Sequence, residues 1–134
     1  QPKVAVLSAI ESVNPDIACT IDASALSKMA QRGQITGCLV DGPLSMDLAI
    51  SPDAVRYKGV VSEVAGDADI LIPPEINTAN ILLKSLVFLG KNESCSVLTG
   101  TRVPLVVTSR ADTSQSKYYS ILLALAMSIY RGEQ

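Results

Sequence analysis

A serine, an arginine and an aspartate stand close together near the end of the chain, in Thr108-Ser109-Arg110-Ala111-Asp112-Thr113. An apolar run, Leu105 to Val107, leads into them, and a long helical pattern begins just after. Backbone amides at a helix N-terminus and a guanidinium fork together suit a phosphate-like anion. Ser109 and Thr108 add neutral hydroxyls, and Asp112 is a candidate base. The same residues also read as an ordinary Asp/Thr helix cap beside an exposed arginine. A second cluster is Asp41-Gly42-Pro43-Leu44-Ser45-Met46-Asp47, where two carboxylates flank a turn signal at the end of an apolar run. Its plainer reading is turn chemistry followed by a helix cap. Asn80, polar within an apolar helical pattern, and Arg102, close to Gly100 in a loop, are further candidates.

Other chemistries are excluded by residue type. The chain has no histidine, so neither a Ser-His-Asp nor a Cys-His arrangement can form within it. It contains no GxxxxGK[ST] and no GxGxxG, the phosphate-loop and dinucleotide signatures. The acidic residues are scattered and the three cysteines, Cys19, Cys38 and Cys95, share no CxxC spacing, so no metal site is expected. The cysteines read as reduced and buried in a cytoplasmic protein. Net charge is -2 with no basic run, which argues against nucleic acid as a partner. The most apolar stretch, Ile121 to Tyr130, is ten residues and too short to span a bilayer.

The elements that must position these residues follow from the apolar pattern. Hydrophobic residues make up 48% of the 134, only five are aromatic, and the core is therefore aliphatic. Lys3 to Ser8 predicts a strand buried on both faces. A helix is expected over Asp22–Arg32, capped by Asp22 and ended by Gly33. A second strand is expected over Thr36–Val40, followed by a turn at Asp41-Gly42-Pro43. Pro52–Lys58 predicts a short helix with proline in its first turn. A strand over Asp69–Ile72 precedes a helix over Ile76–Leu89, closed by Gly90. Two short strands, Ser96–Leu98 and Leu105–Val107, lead to a final helix, Thr113–Tyr130. That helix is apolar around much of its circumference, which predicts burial in a core or against a second copy. Alternating strands and helices imply an α/β fold with a largely parallel sheet.

Four segments resemble the phosphate acetyl- and butyryltransferase family. Val40-Asp41-Gly42-Pro43-Leu44 with Asp47 and Ala49 is similar to its VDGPLxxDxA signature, and Gly66 to Leu71 to its GDADIL segment. Pro74 to Asn80 resembles its P-D-x-x-A-G-N loop, with Glu75 and Ala79 in place of Asp and Gly. Gly100 to Asp112 resembles the ending of the butyryltransferase branch. The order and spacing match over roughly residues 3 to 125.

The resemblance implies an isopropylmalate dehydrogenase-like fold, two α/β domains with helices on both faces of parallel-rich sheets. Residues 1–93 would be the second, inserted domain, and 94–134 the return to the first, carrying the Ser-Arg site. The N-terminal half of the first domain would then lie outside this sequence; a start at Gln1 that runs at once into a strand is how a fragment would begin. The implied reaction exchanges an acyl group, butyryl or a similar short chain, between coenzyme A and inorganic phosphate, with no cofactor. Ser109, Arg110 and Asp112 would be catalytic. Thr108, Arg102, Asp41, Gly42, Asp47 and Asn80 would bind substrate. The acetyl branch is expected to carry an aspartate seven residues after the serine, where this chain has Ser116. The resemblance further implies a cytoplasmic homodimer or higher homo-oligomer acting on acyl-CoA and phosphate, with no membrane or nucleic-acid partner. Two other readings stand beside it: a catalytically incomplete folding or dimerisation module, and an NAD- and metal-dependent dehydrogenase of the same fold.

Overall fold

The structure, a computed structural model, describes residues 1–132. Strand β1 (Lys3–Leu7) has Val4, Ala5, Val6 and Leu7 all buried, as its unbroken apolar run predicts. It is the middle strand of a parallel sheet in the order β2-β1-β3, with β2 at Leu39–Leu44 and β3 at Ile70–Ile72. Side chains alternate across a strand. Ala5 and Leu7 therefore share one face, in a core with Leu44, Leu48, Ala49 and Val64. Helix α2 (Met46–Ile50) covers that face, and Ala54 and Val55 of α3 (Pro52–Lys58) pack against it. Leu44 and Leu48 are at most 2% exposed, and each such burial stabilises by about 1.5–3 kcal/mol. Helix α1 (Ala18–Gln31) covers the opposite face, where its fully buried Ala23 lies by Val6 and Gly42.

Gly42 is where strand and helix come closest. A Cβ there would stand 2.8 Å from the Val6 carbonyl oxygen, 2.9 Å from Val6 Cβ and 3.2 Å from Ala23 Cβ. From Ala5 to Leu7 the central strand advances two residues while β2 advances three, from Asp41 to Leu44. The extra residue makes a β-bulge at Gly42-Pro43, whose peptide bond is cis. Asp41-Gly42-Pro43 is thus part of a strand, not the turn its composition predicts. The strand begins at Leu39 rather than Thr36 because Gly37, at a φ of 83°, bends the chain just before it.

Helix α1 also starts earlier than predicted. Asp22 is exposed inside it and caps nothing. The start is tied down by buried Thr20, whose hydroxyl donates to the Asn14 and Ile17 carbonyls and accepts the Asn14 N–H. Gly33, at a φ of 73°, follows the helix end as expected. Helix α3 matches its prediction: Ser51 Oγ accepts the Ala54 N–H, Pro52 opens the first turn and left-handed Gly59 closes it.

The chain divides into two compact units, Gln1–Leu82 and Leu83 onward. Helix α4 (Ile76–Lys84) continues into a π-helical turn, Ser85–Leu89, so the predicted single helix changes hydrogen-bond pattern before Gly90. The two predicted strands of the second unit do not form. They make a single antiparallel bridge, with Leu98 and Leu105 exchanging N–H···O bonds of 2.8 and 3.2 Å. Among the described residues no further strand lies alongside these two short segments, and alone they cannot sustain a ladder. Helix α5 (Ser114–Gly132) is the last element among the described residues. The only buried residues described in this unit are Ser116 and Ser120, while Ile121, Leu122, Leu125 and Ile129 are exposed. Among the described residues no second apolar layer of the unit covers this helix, so of its two expected modes of burial the one in a core of its own unit is not met.

Candidate active site

Ser109, Arg110 and Asp112 form one tight turn in the second unit. The Ser109 N–H donates to Asp112 Oδ2 at 2.7 Å, and the Ala111 N–H donates to Ser109 Oγ at 3.3 Å. The Asp112 N–H in turn donates to the Ser109 carbonyl at 3.1 Å, so the aspartate is tied to the serine's backbone at both its side chain and its N–H. The cap of α5 itself is Thr113, whose Oγ1 accepts the Ser116 N–H at 3.1 Å. Asp112 therefore does not cap the helix; it holds the serine. Its other oxygen, Oδ1, faces Lys84 Nζ at 3.9 Å, and the Asp112 side chain is only 17% exposed. A carboxylate has about four acceptor positions, so Oδ1 keeps lone pairs for a substrate proton. Arg110 is exposed and has no ion-pair partner among the described residues, which leaves its fork open to an anion. Thr108 is half-buried beside the turn, and Arg102 is exposed in the loop before it.

Lys84 was not legible as part of this site. Its ammonium lies between Asp112 and the Phe88 ring, 5.9 Å from the ring centroid. As the single cation in an apolar helix it gave a weak signal; only the fold brings it to Asp112.

The second candidate cluster lies in the first unit, at the carboxyl end of the parallel strands, where open α/β sheets bind ligands. Asp47 pairs with Lys58 Nζ at 3.1 Å, and the same ammonium donates to Ser45 Oγ at 3.1 Å and meets Glu11 at 3.5 Å. Hydrogen bonding from Ser45 and then from Lys58 holds the Asp47 carboxyl below its usual range. The Asp47 hydrogen bond, chiefly, raises Lys58. Asp41 stands apart from this network: its Oδ1 accepts from Ser27 Oγ at 3.3 Å and from the Gly42 N–H, and it lines an open cleft of about 440 Å³ with Cys38 and Glu63. Gly42 has a packing role, since its neighbours leave no room for a side chain. Glu11 and Lys58 went unnoticed in the sequence, because nothing in their spacing links them to Asp47.

The GDAD segment is structural in this fold. The Gly66 N–H donates to the Leu48 carbonyl at 2.7 Å, and Asp67 and Asp69 hold Lys3 at the start of β1. Asn80 is exposed on α4. Glu75, just before that helix, accepts the Asn77 and Thr78 N–H groups and the Thr78 hydroxyl, and these bonds, the Thr78 hydroxyl first, lower its pKa to about 2. Cys19 and Cys38 are half-buried and Cys95 is exposed, all unpaired, contrary to the expected burial. Among the described residues no cluster of three or more His, Cys, Asp or Glu is placed to hold a metal ion. No described helix is long and apolar enough to cross a membrane.

A family profile described as phosphate acetyl/butaryl transferase matches residues 1–125. The chain belongs to this family. It is 57% identical over 123 residues to a phosphate acetyltransferase of Thermotoga maritima, a match that covers 92% of this chain and 42% of that protein. It is 50% identical to a phosphate butyryltransferase of Clostridium acetobutylicum, covering 92% of this chain and 41% of the relative. The fold is similar to that of a branched-chain phosphotransacylase from Enterococcus faecalis V583, with a TM-score of 0.81 at 40% identity over 92% of this chain and 44% of that one. The chain thus spans about two fifths of the length of these relatives. As a family member it is an α/β protein built on a parallel sheet, shared with phosphotransacylases.

Proposed function

We propose that this chain belongs to an enzyme that transfers a short acyl group between coenzyme A and inorganic phosphate. The observation that carries the reading is the Ser109-Arg110-Asp112 turn, with an unpaired guanidinium beside a carboxylate locked to the serine, in a member of this family. In the direction of acyl-CoA synthesis, Asp112 takes the thiol proton as the sulfur attacks the carbonyl carbon of an acyl phosphate. The C–S bond forms, the tetrahedral intermediate collapses, the C–O bond to phosphate breaks, and phosphate leaves onto Arg110. Ser109 Oγ donates to the developing oxyanion, the charge that preorganised donors stabilise most effectively.

Thr108 and Arg102 would assist phosphate binding, and Asp41, Asp47 and Asn80 would contact coenzyme A; Gly42 contributes by letting β2 and α1 approach. The proposal includes the isopropylmalate dehydrogenase-like architecture, with residues 1–93 as the inserted domain and 94–134 returning to the first. The uncovered apolar residues of α5 support a homo-oligomeric assembly. Butyryl over acetyl preference rests on the Gly100 to Asp112 segment alone, since relatives bearing both names match at similar identity. Nothing in the site favours the dehydrogenase reading.

The test is phosphate-dependent release of coenzyme A from acetyl-CoA and butyryl-CoA by the protein at its full natural length. Asp112→Asn keeps an acceptor for the Ser109 N–H but removes the base, so turnover should fall by about 10²-fold or more. Normal turnover across pH in that variant refutes Asp112 as the base. No release with any short acyl-CoA refutes the reaction.

A further inference from the structure

Beside the Ser109 turn lies a cavity that has Asp112 in its lining and runs on over Val87 and Phe88. Its volume, about 450 Å³, falls within the roughly 300–1,000 Å³ typical of small-molecule sites. Asp112, Thr113 and Ser116 form one side of it, and Val87, Phe88 and Ala111 supply carbon surface. Most of the surface it presents is apolar, although Lys91, Asn92, Glu93 and Gln115 line it too.

The apolar wall is carried by unusual backbone. Val87 and Phe88 sit in the π-helical turn Ser85–Leu89, a rare conformation that is frequent at functional sites. Lys91, also on the cavity, is the one described non-glycine residue with a left-handed φ, 54°. Non-glycine residues rarely accept that conformation, and they persist where the surroundings enforce it. The Asn92 N–H and its side-chain amide both donate to the Leu86 carbonyl, at 3.2 and 3.0 Å, which pins the turn in place. A preformed apolar wall therefore faces the carboxylate that holds the serine.

Of the groups that meet at Ser109 in acyl transfer, the acyl tail is the one made only of carbon and hydrogen. We infer that this cavity receives the acyl tail, and that Val87 and Phe88 set the chain length the enzyme accepts. The inference rests on the acyl-transfer reading above and adds to it the location of substrate selection.

The experiment compares kcat/KM for phosphate-dependent release of coenzyme A from acetyl-, butyryl- and hexanoyl-CoA, using the protein at its full natural length. Phe88→Ala deepens the cavity, and Val87→Phe fills it. One methylene in a fitted apolar pocket changes kcat/KM by about 10–200-fold. Phe88→Ala should therefore raise the hexanoyl-to-acetyl ratio by about tenfold or more, and Val87→Phe should lower the butyryl-to-acetyl ratio by a similar factor. The two substitutions act in opposite senses, so general damage to the fold cannot imitate the pair. Should Phe88→Ala fail to fold, the Val87→Phe ratio decides alone. Normal release by the unsubstituted protein with unchanged ratios in the variants overturns the pocket and leaves the reaction standing. No release by the unsubstituted protein overturns both.

Discussion

Replacing Gly42 with alanine probes the closest approach in the first unit. The added methyl would meet the Val6 carbonyl oxygen at 2.8 Å, Val6 Cβ at 2.9 Å and Ala23 Cβ at 3.2 Å. None of these can swing aside: the oxygen belongs to the central strand, paired on both edges, and neither Cβ has a rotamer to change. Overpacking of this kind costs about 1–3 kcal/mol. The loss of unfolded-chain freedom on going from glycine to alanine offsets about 0.4–1 kcal/mol of it. Towards the middle of these ranges the net destabilisation should be about 1–2 kcal/mol, and with a urea m-value of about 1–3 kcal/mol/M the midpoint should fall by about 0.3–2 M. The assay is urea unfolding followed by far-UV circular dichroism, with the m-value fitted for both proteins. An unchanged or higher midpoint at the same m-value would refute the packing argument, because it would mean that α1 and β2 have slack where the structure gives them none.

Glu75 has its folded pKa near 2, below the ordinary 4.5, so its contribution to stability is fully present above pH 4.5 and is lost as pH falls through 2. Glu75→Gln should flatten stability against pH in that window, and an NMR titration of the Glu75 carboxyl with a midpoint near 4.5 would contradict the hydrogen bonds assigned to it. Leu48→Ala, at a fully buried site, should cost about 2–5 kcal/mol. Leu122→Ala, on the face of α5 that nothing in its own unit covers, should cost under about 0.5 kcal/mol in the same assay at a dilution where the chain is monomeric, and equal losses there would show that its own chain covers α5.

Where local chemistry decides structure, the sequence was readable. The apolar run at Val4 to Leu7 could only be a central strand, and Ser51-Pro52 with Gly59 bounds α3 by capping and left-handed backbone. The reading failed where tertiary contacts override local signals. Asp41-Gly42-Pro43 has turn composition, yet the packing of Ala23 and Val6 against Gly42 keeps it in the sheet as a bulge. Asp22 is a good cap that the Thr20 hydroxyl pre-empts one turn earlier. The strand patterns at Ser96–Leu98 and Leu105–Val107 are genuine, but a strand needs a ladder, and pattern alone cannot say whether one is at hand. In the candidate site, Ser109, Arg110 and Asp112 were legible because they are neighbours in sequence. Lys84 and Lys58 were not, since their partners stand 28 and 11 positions away.

The outer strand β3 has a consequence for how the protein behaves at high concentration. It presents Ile70 and Ile72, both about 40% exposed, along an edge of the sheet that has no further strand beside it among the described residues. Such an edge is a template on which another chain can add a strand. Here it is three residues long and is followed at once by Pro73 and Pro74, which bring no N–H groups with which to extend a ladder. Brevity and the two prolines together let the protein expose isoleucine at a sheet edge while denying a stray strand enough bonds to stay.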